Sequence, residues 1–246
     1  MVVLLLYSLA IKSSIRNYEV FFSESIFESL ERELKSNDVI IIDKNVFAHL
    51  HEDVKKLVSI NNYILINASE KQKSYTALAP IIEELIEIGF RKNNRLFAIG
   101  GGITQDITAF IASMMYRGVE WIFFPTTLLA QADSCIGGKT SVNIGKYKNQ
   151  LGNFYPPQKI FIIPELVKTL PELDFKSGMG EMLHFYLVSG EDDFSFYQQY
   201  YEKAFSDQNA LLKLVKRNLE IKKRFIERDE FDRRERQLLN YGHSFG

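Results

Sequence analysis

Polar residues that can hold an anion are concentrated in Pro125–Gly152, PTTLLAQADSCIGGKTSVNIGKYKNQLG. The stretch contains Asp133, the pair Gly137–Gly138 directly before Lys139, and the pair Lys148–Asn149. Two glycines before a lysine let backbone amides approach an anion, and the ammonium adds a positive charge. The second lysine and its neighbouring amide could hold another part of the same ligand. From GGKT alone, a solvated loop with ordinary surface lysines is an equally good interpretation.

A second candidate site lies in residues 95–108, RLFAIGGGITQDIT. An apolar strand leads into Gly100–Gly102 and then into a helix that carries Asp106. Glycines at such a turn let a pyrophosphate reach the free amides of a helix N-terminus. The spacing differs from the dinucleotide-binding fingerprint, so this signal is weak by itself. Another buried strand, at residues 121–124, leads to Pro125, Thr126 and Thr127.

Asp43 follows the short apolar run at residues 39–42. An acid at the end of a buried strand is a usual contact for a ribose hydroxyl in a nucleotide-binding fold. The same acid could instead cap a helix over residues 45–50, and the spacing favours neither function. Glu70 and Lys73 come before the next predicted helix.

The elements that must position these residues alternate between strand and helix as far as Pro164, which predicts an α/β fold with a mostly parallel sheet. Beyond Pro164 only helices are predicted. We therefore predict an α/β nucleotide-binding domain at residues 1–163 and a helical metal- and substrate-binding domain at residues 164–246. Predicted strands lie in residues 1–11, 17–22, 39–42, 63–66, 95–100, 121–124 and 159–163, and predicted helices after Pro164 lie in residues 181–188, 194–205, 209–228 and 234–241.

The helical part carries its own polar residues. Glu181 and His243 could begin a divalent metal site, although two ligands do not complete one. Lys222, Arg236 and Asn240 could bind a carboxylate or a phosphate. A solvated charged face is the alternative, because the segment that contains Lys222 and Arg236 is charged almost throughout.

The composition narrows the class of protein. Hydrophobic residues are 46% of the 246 residues and the formal net charge is -1, which fits a globular protein without a field that would attract nucleic acid. The one cysteine, Cys135, excludes an internal disulfide, fits a reducing compartment and is expected to be buried. The apolar N-terminus lacks a basic region and is too short to span a bilayer, so we expect a cytoplasmic protein without a membrane segment.

From about Asp43 to the last residue, these motifs closely resemble the signature of the 3-dehydroquinate synthases, members of the sugar-phosphate cyclase group. The resemblance implies a dehydroquinate synthase-like fold and a carbon–oxygen lyase of the shikimate pathway. It also implies catalytic NAD, a Zn2+ or Co2+ ion, a small sugar-phosphate substrate and a homodimer.

The resemblance assigns roles to individual positions. The implied cofactor-binding residues are Asp43, Glu70, Lys73, Gly100, Gly101, Gly102, Asp106, Thr126, Thr127, Lys139, Lys148 and Thr169. The implied catalytic or substrate-binding residues are Arg117, Asp133, Lys139, Lys148, Asn149, His184, Lys222, Arg236 and Asn240. Lys222 and Arg236 serve a carboxylate in this scheme, and Arg117 reaches across the dimer interface. The implied metal ligands are Glu181 and His243, with a third expected beyond Gly246.

The sequence departs from the family pattern in two places. His184 stands where the family usually has a lysine, one helical turn after Glu181, and it could contact the substrate or lend the metal a nitrogen. We expect the substrate contact. The sequence also ends at Gly246, before the position of the third zinc ligand, so we expect it to be part of a longer enzyme.

The implied reaction converts a seven-carbon 2-keto sugar-acid phosphate (DAHP) to 3-dehydroquinate and phosphate. An alcohol is oxidised by NAD, phosphate is eliminated, hydride returns, and an aldol step closes the ring. Three alternatives remain at this stage. They are a cyclase that makes a valiolone or an inosose, a metal-dependent polyol dehydrogenase of similar architecture, and a protein that binds NAD or a partner without catalysis.

Overall fold

The computed structural model describes residues 7–240. Its strands are β1 (Tyr7–Ile11), β2 (Tyr18–Phe22), β3 (Val39–Asp43), β4 (Asn62–Ile66), β5 (Leu96–Gly100), β6 (Trp121–Pro125), β7 (Val142–Ile144), β8 (Tyr147–Leu151) and β9 (Lys159–Ile162). Within the described residues, seven of them form one sheet in the order β1-β2-β9-β6-β5-β3-β4, and β7 pairs with β8. All pairs in the large sheet are parallel except the β1–β2 hairpin, which is antiparallel. The prediction of an α/β fold with a mostly parallel sheet is confirmed.

Helices cover both faces of this sheet, as parallel sheets require. The helices are α1 (Ile26–Glu33), α2 (Lys44–His49), α3 (Glu52–Ser59), α4 (Tyr75–Glu87), α5 (Gly102–Met114), α6 (Glu172–Ser189), α7 (Glu191–Tyr201) and α8 (Gln208–Arg228). Alternate residues of each central strand point to opposite faces: Ile41 packs with α4 and α5, whereas Ile40 and Ile42 pack with α1 and α3. The strands are therefore apolar throughout because neither face meets water.

The chain after β9 is helical. A 3-10 helix at Pro164–Val167 is followed by α6, α7 and α8, whose buried residues join the core on the α4–α5 face of the sheet. The first of these helices begins at Glu172, well before the predicted start at residue 181. The prediction missed its first turns because they are polar, lie at the surface and carry no apolar stripe. No part of the described chain forms a helix long and apolar enough to cross a bilayer.

Some local elements differ from the predictions. Helix α3 and the β7–β8 hairpin were not predicted, and Ala130–Ser134 is a π-helix. The predicted helix at residues 234–241 is a 3-10 helix at Glu235–Asn240 as far as the structure describes it. Predictions for residues 1–6 and for His243 concern positions outside the described residues.

Candidate functional site

The carboxyl ends of three adjacent strands bring the predicted nucleotide-binding residues to one edge of the sheet. Asp43 ends β3, Gly100 ends β5, and Pro125 ends β6 directly opposite Gly100. The strand order reverses between β3 and β5, because the chain continues from β3 to β4 on one side and from β5 to β6 on the other. Such a switch point is where open α/β sheets bind ligands.

A cavity of about 640 Å³ lies at this edge, and we call it the edge cavity. Its wall contains the predicted cofactor residues Asp43, Thr126, Thr127 and Thr169. The Asp43 carboxylate also accepts a hydrogen bond from the amide of Asn45 at 2.9 Å, so it caps α2. The capping interpretation is therefore correct, and the same side chain also faces the cavity.

The glycine turn at residues 100–102 is shaped by close packing. A β-carbon on Gly100 would lie 2.3 Å from Oγ1 of Thr104, and one on Gly101 would lie 2.8 Å from Cγ2 of Thr127. Both positions therefore exclude a side chain, and the N-terminus of α5 comes close to the turn at residues 125–127. The free amides of that first helical turn suit a phosphate.

A buried lysine links α5 to the β7–β8 hairpin. The ammonium of Lys73 donates to Asp106 Oδ2 at 3.0 Å and to Asn149 Oδ1 at 2.9 Å. Glu70 accepts a hydrogen bond from Asn143 at 2.8 Å, which fixes the same hairpin. Burial raises the pKa of Asp106 to about 6, against the lowering effect of Lys73.

A second cavity, of about 410 Å³, lies between the sheet and the helices α6 and α8, and we call it the central cavity. It gathers most of the residues that were predicted to bind substrate. Its lining includes Asp106, Asp133, Lys139, Asn149, Glu181, Lys222, Arg236 and Asn240.

Asp133 and Lys222 form a buried ion pair in this cavity. Nζ of Lys222 donates to Asp133 Oδ1 at 2.7 Å and to the Asp133 carbonyl at 2.6 Å. Burial lowers the pKa of Lys222, and Asp133 opposes that shift. The acid lies on the π-helix, where Asn218 of α8 also donates to the Ala132 carbonyl at 2.8 Å. Helix α8 therefore holds the irregular turn that aims Asp133.

Arg236 and Lys139 both line the central cavity. Arg236 is 4% exposed, its guanidinium lies against Gly137, and burial lowers its pKa. Lys139 contacts Asp232 Oδ2 at 2.5 Å, and Asn240 donates to the same oxygen at 3.0 Å. Asp232 was missed in the sequence because it lies in a run of charged residues that looks like a solvated face.

The described residues do not by themselves form a metal site. Glu181 lines the central cavity, but no group of three or more histidine, cysteine, aspartate or glutamate residues within residues 7–240 is arranged to hold an ion. The second predicted ligand, His243, lies outside those residues. Cys135 is buried and its thiol has a pKa raised by burial to about 12, as expected of a structural residue.

Known proteins share both the sequence and the fold. The family model described as 3-dehydroquinate synthase N-terminal matches residues 63–177, and the one described as 3-dehydroquinate synthase C-terminal matches residues 178–246. The curated 3-dehydroquinate synthase of Prochlorococcus marinus (strain MIT 9515) is 35% identical over 244 residues, which cover 94% of this chain and 67% of that protein. The chain belongs to the 3-dehydroquinate synthase family.

Two solved structures of synthases share this fold. The 2-epi-5-epi-valiolone synthase from Streptomyces hygroscopicus subsp. jinggangensis 5008, solved with NAD+ and Zn2+ bound, superposes with a TM-score of 0.85 at 25% identity. That match covers 96% of this chain and 68% of the synthase. A 2-deoxy-scyllo-inosose synthase shares the fold with a TM-score of 0.83 at 22% identity, covering 97% of this chain and 70% of that one.

Membership of the 3-dehydroquinate synthase family confirms the predicted enzyme class, a carbon–oxygen lyase that cyclises a sugar phosphate. The two family models meet after residue 177, inside α6, rather than at Pro164. The division into domains at residues 163 and 164 therefore stays a prediction.

Three predicted substrate residues of this family member line neither cavity. Arg117 is exposed in the turn after α5, and Lys148 is exposed on β8. His184 Nε2 lies 3.0 Å from the carbonyl oxygen of Leu238, so its ring contacts the 3-10 helix at Glu235–Asn240. The ring of His184 therefore faces that helix, and its contact with substrate stays a prediction.

Proposed function

We propose that this protein acts on DAHP, releasing phosphate and forming 3-dehydroquinate, with NAD bound in the edge cavity. The observation that carries this proposal is the central cavity, where Lys139, Lys222 and Arg236 meet three acids, Asp106, Asp133 and Glu181. A substrate with a carboxylate and a phosphate needs several cations, and a polyol needs none of them.

The residues of the chain divide this work. Lys222 and Arg236 are buried, and both have pKa values lowered by burial, so an anionic group that reached them would find poorly solvated cations. We assign them to the substrate carboxylate. Lys139 is more exposed and would meet an anionic end that enters from solvent. Asp133, paired with Lys222, would accept hydrogen bonds from the substrate hydroxyl groups.

The edge cavity fits a nucleotide in size and in chemistry. Its volume of about 640 Å³ is within the usual range for ligand sites. We propose that Asp43 binds a ribose hydroxyl and that the turn at Gly100–Gly102 receives the pyrophosphate. When bound, NAD would supply a hydride acceptor and donor beside the central cavity.

We further propose Zn2+ or Co2+ as the metal, held by Glu181 and His243 with a third ligand outside this chain's described residues. A homodimer in which Arg117 reaches the partner's site and a cytoplasmic location complete the proposal. No catalytic step is assigned to the metal, because the described residues offer only one of its ligands.

The decisive experiment is product analysis with the protein expressed from its natural gene. It would receive NAD, a divalent metal and either DAHP or keto and aldose sugar phosphates that lack a carboxylate. We expect mass spectrometry to find 3-dehydroquinate and one phosphate per turnover from DAHP alone, without net NADH. Turnover of a carboxylate-free sugar phosphate would favour the valiolone or inosose alternative, and stoichiometric NADH would indicate a dehydrogenase.

A further inference from the structure

The turn that precedes Lys139 is held by a residue from the far N-terminal end of the chain. The amide of Gly137 donates to the hydroxyl oxygen of Tyr18, on β2, at 2.8 Å. Tyr18 is only 4% exposed, and burial raises its pKa, so the hydroxyl stays protonated and neutral. Gly137 has a φ of 106°, which places it in the region that favours glycine.

Arg236 holds the carbonyl group of the same residue. Its Nη1 and Nη2 both lie 3.4 Å from the Gly137 carbonyl oxygen. A β-carbon on Gly137 would lie 2.2 Å from Nη2, so the guanidinium occupies the space that a side chain would need. The glycine turn is thus fixed between Tyr18 and Arg236, and Lys139 follows two residues later.

A second set of contacts links the β1–β2 connection to the segment that carries Arg236. The carboxylate of Glu230 accepts hydrogen bonds from the Ser14 amide at 2.8 Å, from the Ser14 hydroxyl at 2.6 Å and from the Ser13 hydroxyl. The carbonyl oxygen of Glu230 in turn accepts a hydrogen bond from Nη1 of Arg236. The hairpin therefore contacts both the turn before Lys139 and the segment that carries Arg236.

We propose that the β1–β2 hairpin, residues 7–22, positions the anion-binding cations of the site, and that Tyr18 is a positioning residue that sets Lys139 relative to Arg236. Tyr18 acts through Gly137, and Ser14 acts through Glu230, so neither of these two residues needs to touch the ligand. This inference rests on the proposed function, since it assigns Lys139 and Arg236 to an anionic substrate.

The test removes one oxygen atom. Tyr18→Phe deletes the acceptor of the Gly137 amide. Tyr186→Phe is the matched control, because it also removes one buried hydroxyl. The hydroxyl of Tyr186 donates to the Leu214 carbonyl at 2.8 Å, on the α6–α8 side of the core. A buried amide without an acceptor opens more readily, so we expect exchange of the amides at residues 137–139 to become about 10-fold faster in Tyr18→Phe alone. We also expect the KM for DAHP to rise about 10-fold while the Kd for NAD stays unchanged.

Either of two results would overturn the inference: unchanged exchange at residues 137–139, or faster exchange with an unchanged KM. If the wild-type protein does not turn over DAHP, the proposed function fails. The inference is then judged with inorganic phosphate, whose Kd should rise about 10-fold in Tyr18→Phe but not in Tyr186→Phe. Equal phosphate affinity in the two variants, or no phosphate binding by the wild type, would count against it.

If Tyr18→Phe does not fold, a variant closer to the surface tests the same role of the hairpin. Glu230→Gln weakens the contact with Ser13 and Ser14. Glu235→Gln, on the same segment, is the control, because it removes a carboxylate that pairs with Arg228 at 3.8 Å. We expect Glu230→Gln, and not Glu235→Gln, to raise the KM for DAHP or the Kd for phosphate about 3-fold or more. Equal effects of the two changes would contradict the role of the hairpin.

Discussion

Lys139 is the most accessible cation of the central cavity. Its side chain is 45% exposed, compared with 7% for Lys222, so it is the first positive charge that an entering anion meets. In the free protein its ammonium is paired with Asp232 at 2.5 Å. A substrate anion can bind there only by sharing this ammonium with a carboxylate already in place.

Lys139→Ala should abolish turnover of DAHP and leave the affinity for NAD nearly unchanged. A charge-assisted hydrogen bond contributes about 1.5–3 kcal/mol, so substrate binding alone should weaken roughly 10- to 100-fold. Steady-state kinetics and calorimetry with NAD measure the two effects. Lys146→Ala is the control, since Lys146 is exposed in the β7–β8 turn. A loss of NAD affinity equal to the loss of turnover would contradict the assignment.

Asp106 should make the stability of the protein depend on pH. Its pKa is raised by burial from 3.8 to about 6, so between these values the folded protein binds a proton that the unfolded chain does not. Stability therefore falls as pH rises from about 4 to about 6. Relative to Asp106→Asn, the free energy of unfolding of the wild type should fall by roughly 3 kcal/mol over that range.

Urea unfolding of both proteins at several pH values measures this difference. Asp229→Asn provides a comparison in which stability changes with pH in the opposite direction. The amides of Arg233, Arg234 and Arg236 lower the pKa of Asp229. The contribution of Asp229 to the free energy of unfolding is therefore present at neutral pH and lost in acid. A wild-type curve parallel to that of Asp106→Asn would show that the Asp106 carboxyl is not perturbed.

At the scale of elements, His184 connects α6 to the 3-10 helix that carries Arg236 and Asn240. His184→Ala should remove this contact and destabilise the protein by about 1 kcal/mol, whereas His184→Lys can still donate to the Leu238 carbonyl and should keep activity on DAHP. Thermal unfolding and kinetics of both variants test this. Loss of activity in His184→Lys with retained metal would instead indicate a different sugar phosphate as substrate.

The long apolar strands and the glycine turn could be predicted from the sequence, because burial on both faces leaves unbroken apolar runs. The π-helix could not, since Ala130–Ser134 acquires its shape from Asn218 and Lys222, which are far away in the chain. The start of α6 was also missed, because its first turns lie at the surface and show no apolar period.

At the scale of the whole molecule, the two cavities depend on contacts between distant parts of the chain. Family membership was apparent from the order of the motifs, and most predicted residues do line one of the two cavities. The contribution of Tyr18 could not be predicted from the sequence, because a tyrosine in an edge hairpin looks like any other core residue. Only the folded chain brings it to the turn before Lys139.

NAD should stabilise the whole molecule. At about 100 times its Kd, the nucleotide should raise the free energy of unfolding by about 2.7 kcal/mol. In Asp43→Ala this increment should fall to about half at the same NAD concentration if affinity drops about 10-fold. The rise in the free energy of unfolding caused by NAD is compared, rather than stability itself. Asp43→Ala also removes the cap of α2, which lowers the stability of the ligand-free protein by about 0.5–2 kcal/mol.

Thermal unfolding with and without NAD gives both values. Asp53→Ala, in the exposed first turn of α3, is the matched control and should leave the increment unchanged. An increment in Asp43→Ala equal to that of the wild type would show that Asp43 only caps the helix.

Gly137 and Arg236 also restrict how this protein can change during evolution. Because Nη2 of Arg236 lies 2.2 Å from the place of a β-carbon at position 137, a side chain there displaces the guanidinium unless residue 236 is shorter. A non-glycine residue at position 137 is also strained at a φ of 106°, whichever of the two residues changes first. The two substitutions are therefore expected to be non-additive, because loss of the glycine costs less once the arginine has been replaced.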